Sequence, residues 1–295
     1  MRLLGPAELR AALPWPVAIA ALETAFRDED PSATPPRSHL AVPGGELLLM
    51  PAHAAAGGLG VKLVTLAPGN PARGLPFIHG AYVLFSPGSL VPEALLDGTE
   101  LTAIRTAAVS ALATDRLARP DARALVVFGA GTQARAHVAA MRAIRPIQTV
   151  TIVGRDPARA RALADELGAA VAGPEAVAGA DVICTCTTSA QPLFEGAWLA
   201  PGTHVNAVGA YRPDLRELDD VAMRRATVVV ETRASALAEA GDVIQAGLEP
   251  GALVELADVV RGRAERREPA AITVFKSVGL ALEDLAIARA AMAGG

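Results

Sequence analysis

The chain has 295 residues, a length typical of about two domains. Hydrophobic residues make up 52% of it and charged residues 20%, a composition that excludes a disordered chain. A net charge of −4 excludes the basic surface of a nucleic-acid-binding protein, and every apolar run ends well before the ~20 residues of a membrane span. Because residues 1–8 turn polar too early for a signal peptide, we expect a soluble cytoplasmic protein with no nucleic-acid or membrane partner.

Lysine and cysteine are both scarce. The only lysines are Lys62 and Lys276, against 25 arginines. Either they occupy positions that need an ammonium group, which can lose a proton near neutral pH, or they are remnants of a compositional drift. Cys184 and Cys186 alternate on a strand and are interpreted as packed thiols, and the histidines show no metal-ligand spacing, so no metal site is expected.

The first third of the chain predicts a small α+β domain. A helix is predicted over 14–26, and a second over 101–117 with Thr99 as its N-cap. Strand-like runs separated by glycine and proline turns lie between the helices, at 47–50, 60–66 and 80–85. Consecutive strands without intervening helices favour an antiparallel or mixed sheet.

The middle of the chain alternates strands with helices, which indicates a parallel sheet covered on both faces. The strand-like runs are 124–128, 149–153, 181–186, 203–208 and 227–230. The predicted fold class is α/β, with a doubly wound Rossmann domain over 118–273. The remaining domain is formed by 1–117 and by a C-terminal segment, 274–295, whose helix over 279–292 returns to it.

A dinucleotide-binding motif follows the first strand of the middle domain. It has the G-x-G-x-x-A pattern and reads Gly129-Ala130-Gly131-Thr132-Gln133-Ala134. Gly129 permits the tight turn, Gly131 lets the backbone approach a pyrophosphate, and Ala134 permits close helix–strand packing. The strand before the motif, and the helix and strand after it, are the context that the motif requires.

Other expected cofactor contacts lie at the ends of later strands. Asp156 precedes Pro157 and is predicted to cap a helix, which leaves Arg155 at the tip of the second strand, where an arginine accommodates a 2′-phosphate. NADP(H) is therefore favoured, and NAD(H) stays open. Further expected contacts at the carboxyl edge of the sheet are Thr187, Thr188, Val208, Gly209 and Ser277.

Four segments in this order resemble the ornithine cyclodeaminase/mu-crystallin family. They are Gly60-Val61-Lys62-Leu63-Val64-Thr65, Leu101-Thr102-Ala103-Ile104-Arg105-Thr106-Ala107-Ala108, the glycine motif, and Val274-Phe275-Lys276-Ser277-Val278-Gly279-Leu280-Ala281-Leu282-Glu283-Asp284. The resemblance implies a Rossmann domain inserted in a substrate-binding and dimerisation domain, and a homodimer.

The resemblance also implies the substrate-binding residues. Lys62 matches the family's active-site lysine, while Arg37 and Arg105 match arginines near a substrate carboxylate. A guanidinium fork suits a carboxylate, and a lysine in an apolar strand has a lowered pKa that suits proton transfer. His79 lies near the same region and is a further candidate for substrate binding.

The segment after the strand at 203–208 separates the branches of the family. Ornithine cyclodeaminases carry an aspartate where this chain has Tyr211, and a phenol is a poor base at neutral pH. The run Arg212-Pro213-Asp214-Leu215-Arg216-Glu217-Leu218 resembles mu-crystallin and the bacterial ketimine reductases instead. The expected activity is NAD(P)H-dependent reduction of Δ1-pyrroline-2-carboxylate and Δ1-piperideine-2-carboxylate to L-proline and L-pipecolate.

Three alternatives stay open. The first is a deaminating enzyme, either an ornithine cyclodeaminase or an alanine dehydrogenase. The second is a non-enzymatic protein that binds NADPH and a small ligand. The third is an opine-type dehydrogenase that joins an amino acid to a keto acid.

Overall fold

The computed structural model of the chain describes residues 1–55, 58–264 and 268–294. It divides the chain into two compact units. Unit 1 comprises Met1–Arg105 and Leu280–Gly295, and unit 2 comprises Thr106–Gly279. The boundaries expected from the sequence are 117/118 and 273/274. The observed divisions differ because one lies inside the long helix Gly98–Leu117 and the other follows a strand that pairs in the sheet of unit 2.

Unit 1 is built on a mixed sheet of six strands. The strands are β1 (Arg2–Leu4), β2 (Ser38–Val42), β3 (Gly45–His53), β4 (Leu59–Leu66), β5 (Ile78–Phe85) and β6 (Pro92–Asp97). Their order is β1-β6-β5-β4-β3-β2, and every neighbouring pair is antiparallel except β1 and β6. The mixed sheet predicted from the glycine- and proline-separated strands is confirmed, with three more strands than the sequence showed.

Helices cover one face of this sheet. They are α1 (Pro6–Ala12), α2 (Trp15–Asp28) and, from the end of the chain, the last helix Ala281–Ala293. The last helix packs against α2 and against β3, β4 and β5. Buried and less buried residues alternate along β3 and β4 because successive side chains point to opposite faces, and the buried set points to the helices.

Asp97, not Thr99, caps helix α3 (Gly98–Leu117). The Asp97 Oδ1 atom accepts a hydrogen bond from the backbone N–H of Glu100 at 2.7 Å, the geometry of an N-cap. Thr99 lies inside the first turn, and its hydroxyl accepts from the backbone N–H of Gly80 instead. The N-cap prediction for Thr99 is wrong because the helix begins earlier than the apolar periodicity indicates.

Unit 2 contains an eight-stranded sheet in which all neighbouring strands are parallel. The strands are β7 (Ala124–Phe128), β8 (Thr149–Val153), β9 (Ala170–Val171), β10 (Val182–Thr185), β11 (His204–Ala207), β12 (Thr227–Val230), β13 (Leu253–Glu255) and β14 (Thr273–Lys276). Their order is β13-β12-β14-β11-β10-β7-β8-β9. Strands β8 and β9 lie on one side of β7, whereas β10 and all later strands lie on its other side. Doubly wound sheets bind ligands at this change of side, here between β7 and β10.

The helices of unit 2 follow its strands, as the sequence predicts. They are α4 (Thr132–Ile144), α5 (Pro157–Leu167), α6 (Asp220–Arg225), α7 (Arg233–Glu239), α8 (Gly241–Gln245) and α9 (Leu256–Val260), and the helix Ala281–Ala293 of unit 1 is α10. No helix within the described residues is long and apolar enough to cross a membrane. The α/β class and the doubly wound sheet are both confirmed.

Gly60 on β4 leaves space for the ring of Tyr82 on β5. A Cβ atom at position 60 would overlap the Tyr82 hydroxyl and lie 2.7 Å from its Cε1 atom. Tyr82 is fully buried, so its ring has little room to move away. The glycine in this strand is therefore a packing requirement.

We expect Gly60→Ala to lower the free energy of unfolding by about 1–3 kcal/mol, the usual cost of overpacking a core. The measurement is urea denaturation. Gly69→Ala is the matched control, because a Cβ at Gly69 meets no atom within 4 Å. Equal unfolding midpoints for the two variants would contradict the packing of Tyr82 on Gly60.

Candidate functional site

Lys62 is buried in unit 1 and forms an ion pair with Asp284. It lies on the face of β4 that packs on α10, and only 1% of its surface is exposed. Its Nζ atom lies 2.8 Å from Oδ1 and 2.7 Å from Oδ2 of Asp284, which is itself fully buried in the first turn of α10. A buried ammonium requires such a counter-charge, because burial alone disfavours the charged form.

The surroundings of Lys62 lower its pKa from 10.5 to about 8. Burial is the main cause, and the positive charges of Arg105 and Arg37 act in the same direction. The carboxylate of Asp284 opposes them and raises the pKa. With a pKa of about 8, Lys62 is mostly protonated at neutral pH and can still exchange its proton, as a general acid must.

Arg105 joins the same cluster from α3. Its Nη1 atom lies 2.9 Å from Oε2 of Glu283, and its Nε atom lies 3.4 Å from Oδ1 of Asp284. Arg37, which is half-buried just before β2, is close enough to influence Lys62 electrostatically. These three cations and two carboxylates leave one net positive charge, which favours an anionic ligand such as a substrate carboxylate.

Tyr82 is the cross-strand neighbour of Lys62. Burial raises the pKa of its phenol well above 10, and the negative charge of Asp284 adds to that effect. Within the described residues its hydroxyl has no hydrogen-bond partner. The sequence analysis did not identify Tyr82 as part of this cluster.

His79 does not belong to the cluster around Lys62. It pairs with Thr65 across β4 and β5, three residues from Tyr82, and therefore lies on the opposite face of the sheet from Lys62. Its side chain is exposed. The structure thus brings Arg37, Lys62 and Arg105 together but places His79 elsewhere. Closeness in the sequence does not show which face of the sheet a side chain points to, because successive side chains of a strand alternate between the faces.

In unit 2 the glycine motif forms the turn from β7 into α4. Gly129 has a φ of 111°, and a Cβ there would lie 2.7 Å from the carbonyl oxygen of Cys186. Gly131 is the N-cap of α4 and provides no side-chain cap to the helix, and a Cβ on it would meet no atom within 4 Å. Thr132 and Gln133 begin the helix, and Ala134 is fully buried against the sheet.

This geometry fits a dinucleotide pyrophosphate. The first backbone N–H groups of α4 lack a side-chain partner from the N-cap, and the space beside Gly131 is open. Helix N-termini of this kind bind phosphate groups.

The tip of β8 is arranged as predicted. The carboxylate of Asp156 accepts hydrogen bonds from the backbone N–H groups of Ala158 and Arg159, at 3.0 and 3.2 Å, and so caps α5. The prediction of an N-cap at Asp156 is confirmed. Arg155 is exposed beside it.

The remaining expected cofactor contacts lie at the carboxyl ends of β10, β11 and β14. Thr187 follows β10, and its backbone N–H and hydroxyl both donate to Glu217 at 2.7 and 2.8 Å. Gly209 follows β11 and donates to the same carboxylate at 2.8 Å. Ser277 follows β14, and its hydroxyl donates to Glu231 at 2.5 Å. Thr188 is exposed in the loop after β10, and Val208 is half-buried in the loop after β11.

The family model of the ornithine cyclodeaminase/mu-crystallin family matches residues 10–292. The chain belongs to this family.

Individual relatives cover most of the chain. Ketimine reductase mu-crystallin of Mus musculus is 42% identical over 250 residues, which are 83% of this chain and 79% of the relative. The structure of Thermococcus litoralis Δ1-pyrroline-2-carboxylate reductase in complex with NADH and L-proline is 33% identical, with a TM-score of 0.92 over 100% of this chain and 97% of that one. An archaeal alanine dehydrogenase dimer with bound NAD is 30% identical, with a TM-score of 0.92 over 100% of this chain and 95% of that one.

The sequence analysis did not identify the acidic partners of Lys62 and Arg105. Glu283 and Asp284 were part of the motif that carried the resemblance, but no role was assigned to them. The signal that could have found them is the burial of Lys62 in an apolar strand, because a buried ammonium needs an acidic partner. Tyr211 is partly buried against the apolar core of unit 2.

No cluster of metal-ligating side chains is present among the described residues.

Cys184 is a free, buried thiol, and burial raises its pKa to about 12. The interpretation of Cys184 as a packed thiol is therefore confirmed.

We expect Gly131→Ser to separate cofactor binding from folding. Serine is a better N-cap than glycine, so the melting temperature should be unchanged or slightly higher. The added side chain occupies the approach of the pyrophosphate, so dinucleotide affinity should fall by about tenfold or more. Calorimetric titration with NADPH and NADH and a thermal melt measure the two effects.

Gly179→Ser is the matched control, because a Cβ at Gly179 also meets no atom within 4 Å. It should change neither quantity. Unchanged affinity in Gly131→Ser would exclude the motif as the pyrophosphate site.

Proposed function

We propose that the protein is an NAD(P)H-dependent imine reductase that converts cyclic ketimino acids to cyclic amino acids. The substrates are Δ1-pyrroline-2-carboxylate and Δ1-piperideine-2-carboxylate, and the products are L-proline and L-pipecolate. The observation that carries the proposal is the buried ammonium of Lys62, held by Asp284 in a cluster with net positive charge. The relatives named ketimine reductase and pyrroline-2-carboxylate reductase support it.

Reduction of a C=N bond requires one hydride at carbon and one proton at nitrogen. The reduced nicotinamide supplies a hydride when it is bound. Arg37 and Arg105 bind the substrate carboxylate and orient the ring. Lys62 holds the proton at the imine nitrogen, which makes the adjacent carbon electrophilic. Asp284 keeps Lys62 charged and fixes its position.

The residues for the dinucleotide lie in unit 2. Gly129, Gly131 and the first turn of α4 bind the pyrophosphate, while Arg155 binds the 2′-phosphate of NADP(H). The remaining contacts of the dinucleotide are Thr187, Thr188, Val208, Gly209 and Ser277.

The protein works in the cytoplasm as a homodimer. The edge strand β2 of unit 1 is exposed along its whole length, and Leu40 and Val42 expose 52% and 41% of their surface. An exposed edge strand with apolar side chains is a template for pairing with another chain. The archaeal relative that forms a dimer supports this assembly.

A deaminating enzyme is the second candidate, favoured by the close structural match to an alanine dehydrogenase. Tyr211 argues against the cyclodeaminase form of this alternative, since it provides no carboxylate at the distinguishing position.

The deciding assay is NADPH oxidation with Δ1-piperideine-2-carboxylate, repeated with NADH. Parallel assays measure ammonia release from ornithine and NAD reduction with alanine. Rapid loss of NADPH with the imine supports the reductase. Ammonia from ornithine, or NAD reduction with alanine, without any imine reduction would replace it with the deaminating alternative.

The pH dependence of the reaction tests the role of Lys62. Its pKa of about 8 predicts that kcat falls as the pH rises through 8, because the proton donor is lost. Asp284→Asn removes the negative charge that raises this pKa, so the basic limb should move to lower pH. Lys62→Ala should lower kcat by about 10²- to 10⁴-fold, the usual contribution of a positioned proton donor.

Glu283→Gln is the matched control for Asp284→Asn. Glu283 is an adjacent, equally buried carboxylate that pairs with Arg105 rather than Lys62. Its pH profile should stay closer to that of the wild type. A Lys62→Ala enzyme with near wild-type rates would overturn the role of the lysine.

Cofactor preference tests Arg155. We expect Arg155→Ala to raise KM for NADPH by about tenfold or more through loss of a charge-assisted hydrogen bond, with little change for NADH. Arg161→Ala, an exposed arginine on α5, should affect neither cofactor. Equal effects on NADPH and NADH in the Arg155 variant would show that it does not recognise the 2′-phosphate.

A further inference from the structure

Among its described residues, unit 2 contains four completely buried charged side chains for which the proposed reaction has no role. They are Glu217, Glu231, Asp242 and Lys276. Burying a charge is costly unless it is paired or fully hydrogen-bonded. Glu217, Glu231 and Lys276 lie at the carboxyl edge of the parallel sheet or in the loops beside it, which is the edge where doubly wound sheets bind ligands. Asp242 lies in α8 and pairs with Lys276.

Glu217 accepts four hydrogen bonds, which come from the end of β10, from the loop after it and from the loop after β11. Its Oε1 atom accepts from the backbone N–H and the hydroxyl of Thr187, at 2.7 and 2.8 Å. Its Oε2 atom accepts from the hydroxyl of Thr185 and the backbone N–H of Gly209, both at 2.8 Å. One carboxylate thus ties the loop after β10 to the loop after β11.

Glu217 is itself held by a second buried acid. The Oδ1 atom of Asp242 accepts from the backbone N–H groups of Glu217 and Leu218, at 2.7 and 2.8 Å. The Oδ2 atom of Asp242 lies 2.9 Å from Nζ of Lys276, which also donates to the carbonyl oxygen of Ala210 at 2.5 Å. The end of β14 is thereby linked to the same two loops.

The loops approach so closely that position 209 has no room for a side chain. A Cβ on Gly209 would overlap the carbonyl oxygen of Thr187 and lie 2.6 Å from Oε1 of Glu217. The pKa of Glu217 is raised overall, chiefly by burial and also by the negative charge of Asp242, while Lys276 and the hydrogen bonds from Thr187 act in the opposite direction. Because all four groups that contact its oxygens are donors, the hydrogen bonds favour the ionised carboxylate.

We propose that Glu217 is a positioning residue that fixes the loops after β10 and β11 in the conformation that binds the nicotinamide half of the dinucleotide. Glu217 does not touch the cofactor in this proposal; it acts through Thr187 and Gly209. Asp242 and Lys276 hold the segment that carries Glu217. The adenosine half binds at the ends of β7 and β8, away from these loops, and does not depend on Glu217.

A glutamine at position 217 distinguishes this role from simple packing. Glutamine has the same shape but only one acceptor oxygen, and its amide group donates. The hydroxyls of Thr185 and Thr187 can rotate to accept, but the backbone N–H groups of Thr187 and Gly209 cannot. Glu217→Gln must therefore release one of the two loops.

The test compares two probes by calorimetric titration. NADPH carries the nicotinamide, and 2′-phospho-ADP-ribose lacks it. We expect Glu217→Gln to weaken NADPH binding by about tenfold or more, the usual effect of losing a hydrogen bond to a charged group. Binding of 2′-phospho-ADP-ribose should stay within about twofold of the wild type, since its contacts lie elsewhere.

Two further variants accompany it. Thr185→Val removes a single hydrogen bond to Glu217, and it does not place two donor groups against each other as Glu217→Gln does. It therefore tests the same loops if Glu217→Gln fails to fold. It should weaken NADPH binding by a smaller factor and leave 2′-phospho-ADP-ribose unchanged. Glu166→Gln removes an exposed carboxylate that pairs with Arg135, and it should change neither affinity.

Equal loss of both probes in Glu217→Gln and Thr185→Val, or no loss of either, would overturn the proposal. The inference rests on the assignment of the dinucleotide to this edge of the sheet. Failure of the wild-type protein to bind either probe would reject that assignment itself, whereas binding of both without the expected difference would reject only the role of Glu217. Neither measurement requires a turnover assay.

Discussion

Both lysines of the chain are buried ammonium groups paired with a buried aspartate, and the organisation of each unit depends on such a pair. In unit 1, Lys62 on β4 pairs with Asp284 in the first turn of α10. In unit 2, Lys276 at the end of β14 pairs with Asp242 in α8. An isolated ammonium in either place would carry a large desolvation penalty, so each pair fixes which helix must lie against which strand.

The two pairs have different surroundings, and this difference determines what each can do. Lys62 is surrounded by two further cations, and its lowered pKa leaves it able to give up a proton near neutral pH. Lys276 donates to a backbone carbonyl and lies among carboxylates that themselves hold loops. The same type of ion pair therefore has two different proposed roles. In unit 1 it supports proton transfer, and in unit 2 it holds the conformation of loops.

Local patterns were sufficient to predict most of the fold. The alternation of strands and helices after residue 118 and the glycine motif gave the parallel sheet, and Asp156 was correctly predicted to cap α5. The comparisons also bear out the family and the activity as a nicotinamide-dependent imine reductase. The exposed edge strand β2 was missed because its apolar residues are too few to stand out, and the cap of α3 was misplaced within one turn.

The partners of the charged residues could not be predicted, because they depend on contacts between distant parts of the chain. Lys62 and Asp284 are separated by 222 positions, and Glu217 contacts Thr185 across 32. No periodicity encodes such a pairing, although the scarcity of lysine indicated which cations to examine. Once a lysine is known to be buried, the chemistry requires an acid beside it, and the search for that acid leads to α10 in unit 1 and to α8 in unit 2. Rare charged residues in apolar strands are therefore the positions from which the long-range contacts of such a fold can be inferred.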